Sequence, residues 1–119
     1  MEKELHLKLT VRLFTEDDEK CFGPGIAALM ERVEQHHSLR AAAMSMGMAY
    51  SKAWRIIRAA EEIFGCPLLV STTGGKNGGG AVLTEEGKRI LTAYQTYTAD
   101  LKRCSEERFA ESFYFFKEL

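Results

Sequence analysis

The sequence is poor in the features that would mark a membrane protein, a secreted scaffold or an enzyme. Across 119 residues no uninterrupted apolar run approaches the roughly 20 residues needed to span a bilayer, so no membrane role is expected. Residues 1–9, MEKELHLKL, hold no apolar core of the secretory-signal type. Cysteine is scarce. Cys21, Cys66 and Cys104 are odd in number and lack metal-ligand spacing, the pattern of reduced thiols in a cytoplasmic protein. No paired carboxylates and no nucleophile–base arrangement can be assigned from spacing, and no enzyme is expected. His36 and His37 are adjacent, so on a helix they would face different directions and make a poor metal pair. A solvated helix end explains them, and capping explains the neighbouring Ser38.

Charge of one sign is also missing, since the net charge is −1 at pH 7. Its distribution is more informative. Residues 1–37 carry five basic and eight acidic groups, residues 38–90 seven and four, and residues 91–119 four and five. The positive excess therefore lies in the middle of the chain, as a phosphate-facing surface requires.

That middle stretch, residues 38–65, reads SLRAAAMSMGMAYSKAWRIIRAAEEIFG. Ser38 can cap a first helix, because its hydroxyl accepts from an unpaired backbone N–H of the first turn. Residues 40–46 are alanine-rich and favour helix. Gly47 falls where the chain must turn, in a conformation that glycine takes without steric cost. A second helix is predicted over residues 49–64, stopped by Gly65 and Pro67. Two helices joined by a three- or four-residue turn containing glycine make a helix-turn-helix. In the second helix Ala53, Ile57, Ala60 and Phe64 form a core-facing stripe. Ser51, Lys52, Arg55, Arg58 and Glu62 fall opposite, with Tyr50 and Trp54 along the border. A basic helical face can simply be solvated. Attached to this turn it is expected to enter the DNA major groove, where Arg bonds guanine edges or phosphates and Ser, Tyr and Lys suit either contact. Trp54 is expected in the core or an interface.

Before this motif, residues 5–15 alternate, with Leu5, Leu7, Leu9, Val11 and Leu13 on one face, which predicts a half-buried strand. Residues 16–19 are a polar turn, and residues 20–22 can pair back. Pro24 is placed to start a helix running to about His37, with Ile26, Leu29, Met30 and Val33 at helical spacing. After the motif, residues 67–73 and 81–83 predict two strands around the glycine-rich loop 74–80, a hairpin wing. Lys76 and Asn77 in that loop could contact phosphate. The rival reading, a nucleotide-binding P-loop, fits poorly, because Lys76 is followed by Asn77 and three glycines, with a strand next rather than a helix.

Thr84 can cap a final helix whose acidic first turn, Glu85 and Glu86, suits the helix dipole. Ile90, Leu91, Tyr94, Tyr97, Leu101 and Cys104 continue at helical spacing for five or more turns. A small domain cannot cover so long an apolar stripe, so part of it is expected to pair with another subunit. Residues 113–116 are four consecutive aromatics, to be covered by a partner or the N-terminal strand, or else a frayed terminus. The expected fold is mainly α with a small β component. It is a winged helix-turn-helix over residues 1–83, including the N-terminal strand, followed by a long C-terminal dimerisation helix over residues 84–119.

Residues 38–91 resemble the N-terminal DNA-binding domain of ModE-type, molybdate-responsive transcription regulators, whose winged helix-turn-helix is related to that of LysR-type regulators. The resemblance is carried by residues 22–25 (FGPG), Ser38–Leu39 with the alanines 41–43, Gly47–Met48, Tyr50, Ala53–Trp54, the glycines flanking Lys76, and residues 83–87 (LTEEG). It implies a DNA-binding transcription regulator, a homodimer formed through the N-terminal strand region and the long final helix. Molybdate-sensing members carry additional C-terminal oxyanion-binding domains, and the sequence reaches Leu119 without room for one, so no cofactor is expected in this chain. The expected DNA-binding residues are Ser38, Tyr50, Ser51, Lys52, Arg55, Arg58, Lys76 and Asn77. The alternative is a winged-helix protein-interaction or adaptor module without DNA readout.

Overall fold

Pro24, whose fixed φ suits the first helical position, opens the helix on which the others pack. In the computed structural model, which describes residues 3–72 and 79–119, α1 runs Pro24–His36 and buries Ile26, Ala27, Leu29, Met30 and Val33. It ends at His37, which takes a left-handed conformation (φ 56°) and bonds its N–H to the Val33 carbonyl. The next residue, Ser38, caps α2 (Leu39–Ser45), its hydroxyl accepting from Ala41 N–H at 3.0 Å. The far end of α2 is tied back to α1, where Arg32 donates to the Ser45 carbonyl at 2.7 Å and to its hydroxyl at 2.9 Å.

Gly47, at φ 66°, makes the turn into α3 (Tyr50–Phe64). A side chain there would be strained whatever the space around it. Ala53, Ile57 and Ala60 of α3 are buried, and Phe64 is half-buried with its ring edge-on to Phe22 at 6.1 Å. The stripe expected from spacing is therefore the face that docks. Gly65 closes the helix in the left-handed region. The described core contains no polar or charged residue, and small alanines from α2 and α3 let these helices approach closely around Leu29, Met30 and Ile57.

Two hairpins flank the bundle. The first pairs β1 (Leu13–Phe14) with β2 (Lys20–Phe22), antiparallel with an irregular register. It places Phe22 in the core against Tyr94, ring centroids 5.0 Å apart. The second pairs β3 (Leu69–Thr72) with β4 (Gly80–Leu83), antiparallel, Leu69 opposite Leu83 and Thr72 opposite Gly80. Leu69, Ala81 and Leu83 point inward and Val70 and Val82 outward, the period-two alternation of a strand with one wet face.

Thr84 caps α4 (Glu85–Phe113), accepting from Gly87 N–H at 2.9 Å while donating to the Pro67 carbonyl at 2.6 Å. Only the first turns of α4 dock on the core, while the later ones border the N-terminal arm. Leu91 is buried, Ile90 and Tyr94 are half-buried, and Tyr97 is 55% exposed. At 29 residues this helix is about 43 Å long. It gives the chain extents of 62 × 36 × 21 Å and a radius of gyration of 18.2 Å. A compact domain of this length would have roughly 13.5 Å. The aromatic end continues as a 3₁₀ turn, Tyr114–Glu118, in which Tyr114, Phe115 and Leu119 beyond it stay exposed.

One expected element takes a different form. Of the half-buried strand predicted over residues 5–15, only Leu13 and Phe14 pair; residues 3–12 form no ladder. Leu5 and Leu9 are each 45% exposed, while Leu7 and Val11 are half-buried. The alternation is real, but a strand needs neighbouring backbone to bond, and among the described residues none pairs with residues 3–12. Instead the arm is pinned by side chains: Tyr94 Oη donates to the Val11 carbonyl at 2.6 Å, and Lys117 meets Glu4 at 3.3 Å.

Candidate nucleic-acid interface

The geometry of α3 follows from its anchoring. With Ala53, Ile57 and Ala60 turned inward, Trp54 and Ile56 flank the buried stripe, and the side of the helix opposite it must turn outward. Ser51, Lys52, Arg55 and Arg58 are all exposed. The ion pairs among the described residues join Lys88 to Glu85, Arg103 to Asp100 and Lys117 to Glu4, and none takes up a cation of α3. Glu61, the acid closest in sequence to Arg58, is turned the other way and accepts from Leu68 N–H at 2.8 Å. The basic face is thus wet, and although exposed Glu62 lies one turn beyond Arg58 on the same side, no ion pair among the described residues takes up its cations.

The border aromatics are ordered along this face. Tyr50, at the start of α3, is 36% exposed and lies edge-to-face with Trp54, centroids 6.3 Å apart. Trp54 is half-buried and packs on the core, as expected, and Arg58 lies over its ring at 5.0 Å. Over Tyr50, at 4.1 Å, lies the guanidinium of Arg40 from α2. Arg40 is not among the residues expected from sequence. An isolated arginine in an alanine-rich helix has no local signal, and only the crossing of α2 with α3 brings it to Tyr50.

The base of the hairpin is fixed to the same surface. Ala81 N–H donates to the carbonyl of His37 at 2.9 Å, so β4 is bonded to the residue that precedes the α2 cap. Gly80 makes this approach possible: a Cβ there would lie 2.7 Å from the His37 carbonyl oxygen and 2.5 Å from Thr72 Oγ1. Between the helices and the hairpin is a cleft of about 300 Å³ lined by Ser38, Arg40, Tyr50, Trp54, Ser71 and Thr72, among others. Of the residues expected from sequence, Ser38 and Tyr50 line this cleft and Arg58 lies against Trp54 at its border, while Ser51, Lys52 and Arg55 are exposed along α3. Lys76 and Asn77 lie outside the described residues.

Residues 27–88 match the family model of bacterial regulatory helix-turn-helix proteins of the LysR family. The chain belongs to that family. Its helix-turn-helix is of the ModE type. It is 34% identical over 107 residues to the transcriptional regulator ModE of Haemophilus influenzae, covering 90% of this chain and 39% of that one. It is 33% identical over 90 residues to the DNA-binding transcriptional dual regulator ModE of Escherichia coli K12, covering 76% and 32%. The molybdenum-pterin-binding protein MopB of Rhodobacter capsulatus is 34% identical over 76 residues, 64% of this chain and 28% of that protein. The chain thus spans less than two fifths of the length of each of these relatives. Elsewhere the structure is chemically plain. Cys21 and Cys66 are half-buried and Cys104 exposed, all free. Among the described residues no group of His, Cys, Asp or Glu could hold a metal ion, and no helix is long and apolar enough to cross a membrane.

Proposed function

We propose that this chain is a transcription regulator of the cytoplasm that binds double-stranded DNA as a homodimer, with α3 in the major groove and the β3–β4 hairpin as the wing. The observation that carries this reading is the exposed face of Lys52, Arg55 and Arg58, none of which joins an ion pair among the described residues. It is held on a helix whose opposite side is locked into the core. A basic helix of this diameter fits a groove about 12 Å wide, where arginine can bond two acceptors of guanine at once. Ser51 and Tyr50 stand at the N-terminal end of the same helix, from which base edges are reached. Ser38 lines the cleft beside it, and Lys76 and Asn77 belong to the wing loop. This contact calls for no cofactor.

Pairing of two chains is supported by the shape of one. The outer part of α4 is covered only in part, by the arm, with Tyr97 exposed and Leu101 half-buried, and the arm offers Leu5 and Leu9 to solvent. A dimer built on these surfaces would present two copies of α3 one duplex turn apart, about 34 Å, so the preferred site should be an inverted repeat.

Gel shifts at stated salt, followed by footprinting on the DNA upstream of its own gene, test the proposal. A protected inverted repeat is expected, with binding far tighter than to random duplex. Arg55→Ala should lose about 1–3 kcal/mol on the specific site if Arg55 reads a base. Weak binding that ignores sequence would reject specific readout. A Lys52/Arg55/Arg58 triple alanine variant that kept its activity in cells would instead favour the adaptor module.

A further inference from the structure

The arrangement around Tyr50 divides labour within the interface. Arg40 reaches from α2 to lie 4.1 Å above the Tyr50 ring, Tyr50 meets Trp54 at 6.3 Å, and Arg58 closes the row at 5.0 Å from Trp54. The row is cation, ring, ring, cation. From Tyr50 to Arg58 it runs eight residues along α3, about 12 Å, comparable with the width of the major groove. A stacked guanidinium has its flat face occupied and its N–H donors free at the edge, in the fork that matches phosphate oxygens. Stacking also fixes a long side chain before any partner arrives, so less freedom is lost on contact. Arg40 is exposed and joins none of the ion pairs among the described residues. It borders the cleft that Ser71 and Thr72 line from the hairpin, and that hairpin is bonded to His37, three residues before Arg40.

We propose that Arg40, stacked on Tyr50, is a clamp for the sugar–phosphate backbone at the edge of the groove that α3 enters, and that it takes no part in base readout. This rests on the DNA-binding reading above and adds a residue and a role to it. Arg40 belongs to the first helix of the pair, which crosses the backbone, and its ring platform belongs to the second. The clamp therefore sets the depth and angle at which α3 meets the duplex, while Lys52 and Arg55 remain free to select sequence.

The test is a salt titration of binding by the full chain, wild type and Arg40→Ala, to an inverted-repeat duplex and to a random duplex. Losing one phosphate contact per chain should reduce the slope of log K against log salt by about 0.9 for each chain bound. Between about 50 and 200 mM salt, the wild type should then lose about threefold more affinity per chain than the variant. The weakening should be the same factor on both duplexes. Arg40→Lys, which keeps the charge, should restore the slope. Tyr50→Leu, which removes the ring but keeps the charge, should weaken binding with the slope intact. An unchanged slope in a folded Arg40→Ala protein overturns the clamp, and so does a loss confined to the inverted repeat, which would make Arg40 a base reader. Should Arg40→Ala lower the melting temperature, Arg40→Gln, which keeps the stem packed on the ring, replaces it in the same titration. If the wild type binds neither duplex, the DNA-binding reading fails and the clamp with it. A wild type that binds, with the slope reduced equally on both duplexes in Arg40→Ala, leaves both standing.

Discussion

At the scale of single residues, two positions show how little chemistry is needed to shape the recognition region. Ser38 starts α2 with one hydroxyl, and Gly47 ends the pair's turn with the absence of a Cβ. Gly47→Ala would force an L side chain to φ 66°, where Cβ crowds the following carbonyl. The expected cost is roughly 1–2 kcal/mol, read as an earlier midpoint in urea with an unchanged slope. Space is not the issue, because a Cβ would meet nothing within 4 Å. A variant of undiminished stability would show that the turn relaxes into another conformation. Both residues were legible in the sequence, since each acts on its own backbone. Arg40 was not, because its significance comes from Tyr50, ten residues away in the chain and 4.1 Å away in space.

Among the elements, the three helices of the bundle and the hairpin could be placed from periodicity and punctuation. Apolar spacing fixed which face of α3 docks, and Pro24, Gly65 and Thr84 marked ends close to those observed. The N-terminal arm could not be read the same way. Alternation records which side of a strand wants burial, but says nothing about whether a partner strand is present, and here residues 3–12 have none. What holds the arm is the hydroxyl of Tyr94 on the Val11 carbonyl, with Lys117 meeting Glu4 near its start. Burial pushes the Tyr94 phenol above its usual 10.0, with the nearby Arg12 pulling the other way. The folded chain therefore holds this proton more tightly than the unfolded one. The stability it contributes is complete below pH 10 and is lost as pH rises through the folded value. Ultraviolet titration of phenolate should show one late-ionising tyrosine that Tyr94→Phe removes, and amide exchange near Val11 should quicken as it ionises. Titration of every tyrosine together at the ordinary value would contradict the buried contact.

For the whole molecule, the elongated outline is the informative quantity. A chain of 119 residues with a radius of gyration of 18.2 Å has spent much of its length on a helix that covers little of its own core. Sedimentation equilibrium should find two chains per particle. Leu101→Arg, on the outer part of α4, should shift the population toward single chains while leaving the melting of the helix-turn-helix nearly unchanged, since Leu101 lies outside the buried core. A wild type that sediments as one chain would remove the dimer and with it the expected inverted repeat. The aromatic cluster at the end, where Phe109, Phe113 and Phe115 stack in sequence at 5.4 and 6.3 Å, adds apolar surface to this same extension.

The bond from Ala81 to the His37 carbonyl has a mechanical corollary. In the dimer proposed above, this bond ties the hairpin to the end of α1, so each head is expected to move as a unit rather than stretch to accommodate an extra base pair between half-sites. On that reading the give would come from bending in the protruding stalk of α4, and spacer tolerance in the proposed inverted repeat becomes a gauge of that stalk's rigidity.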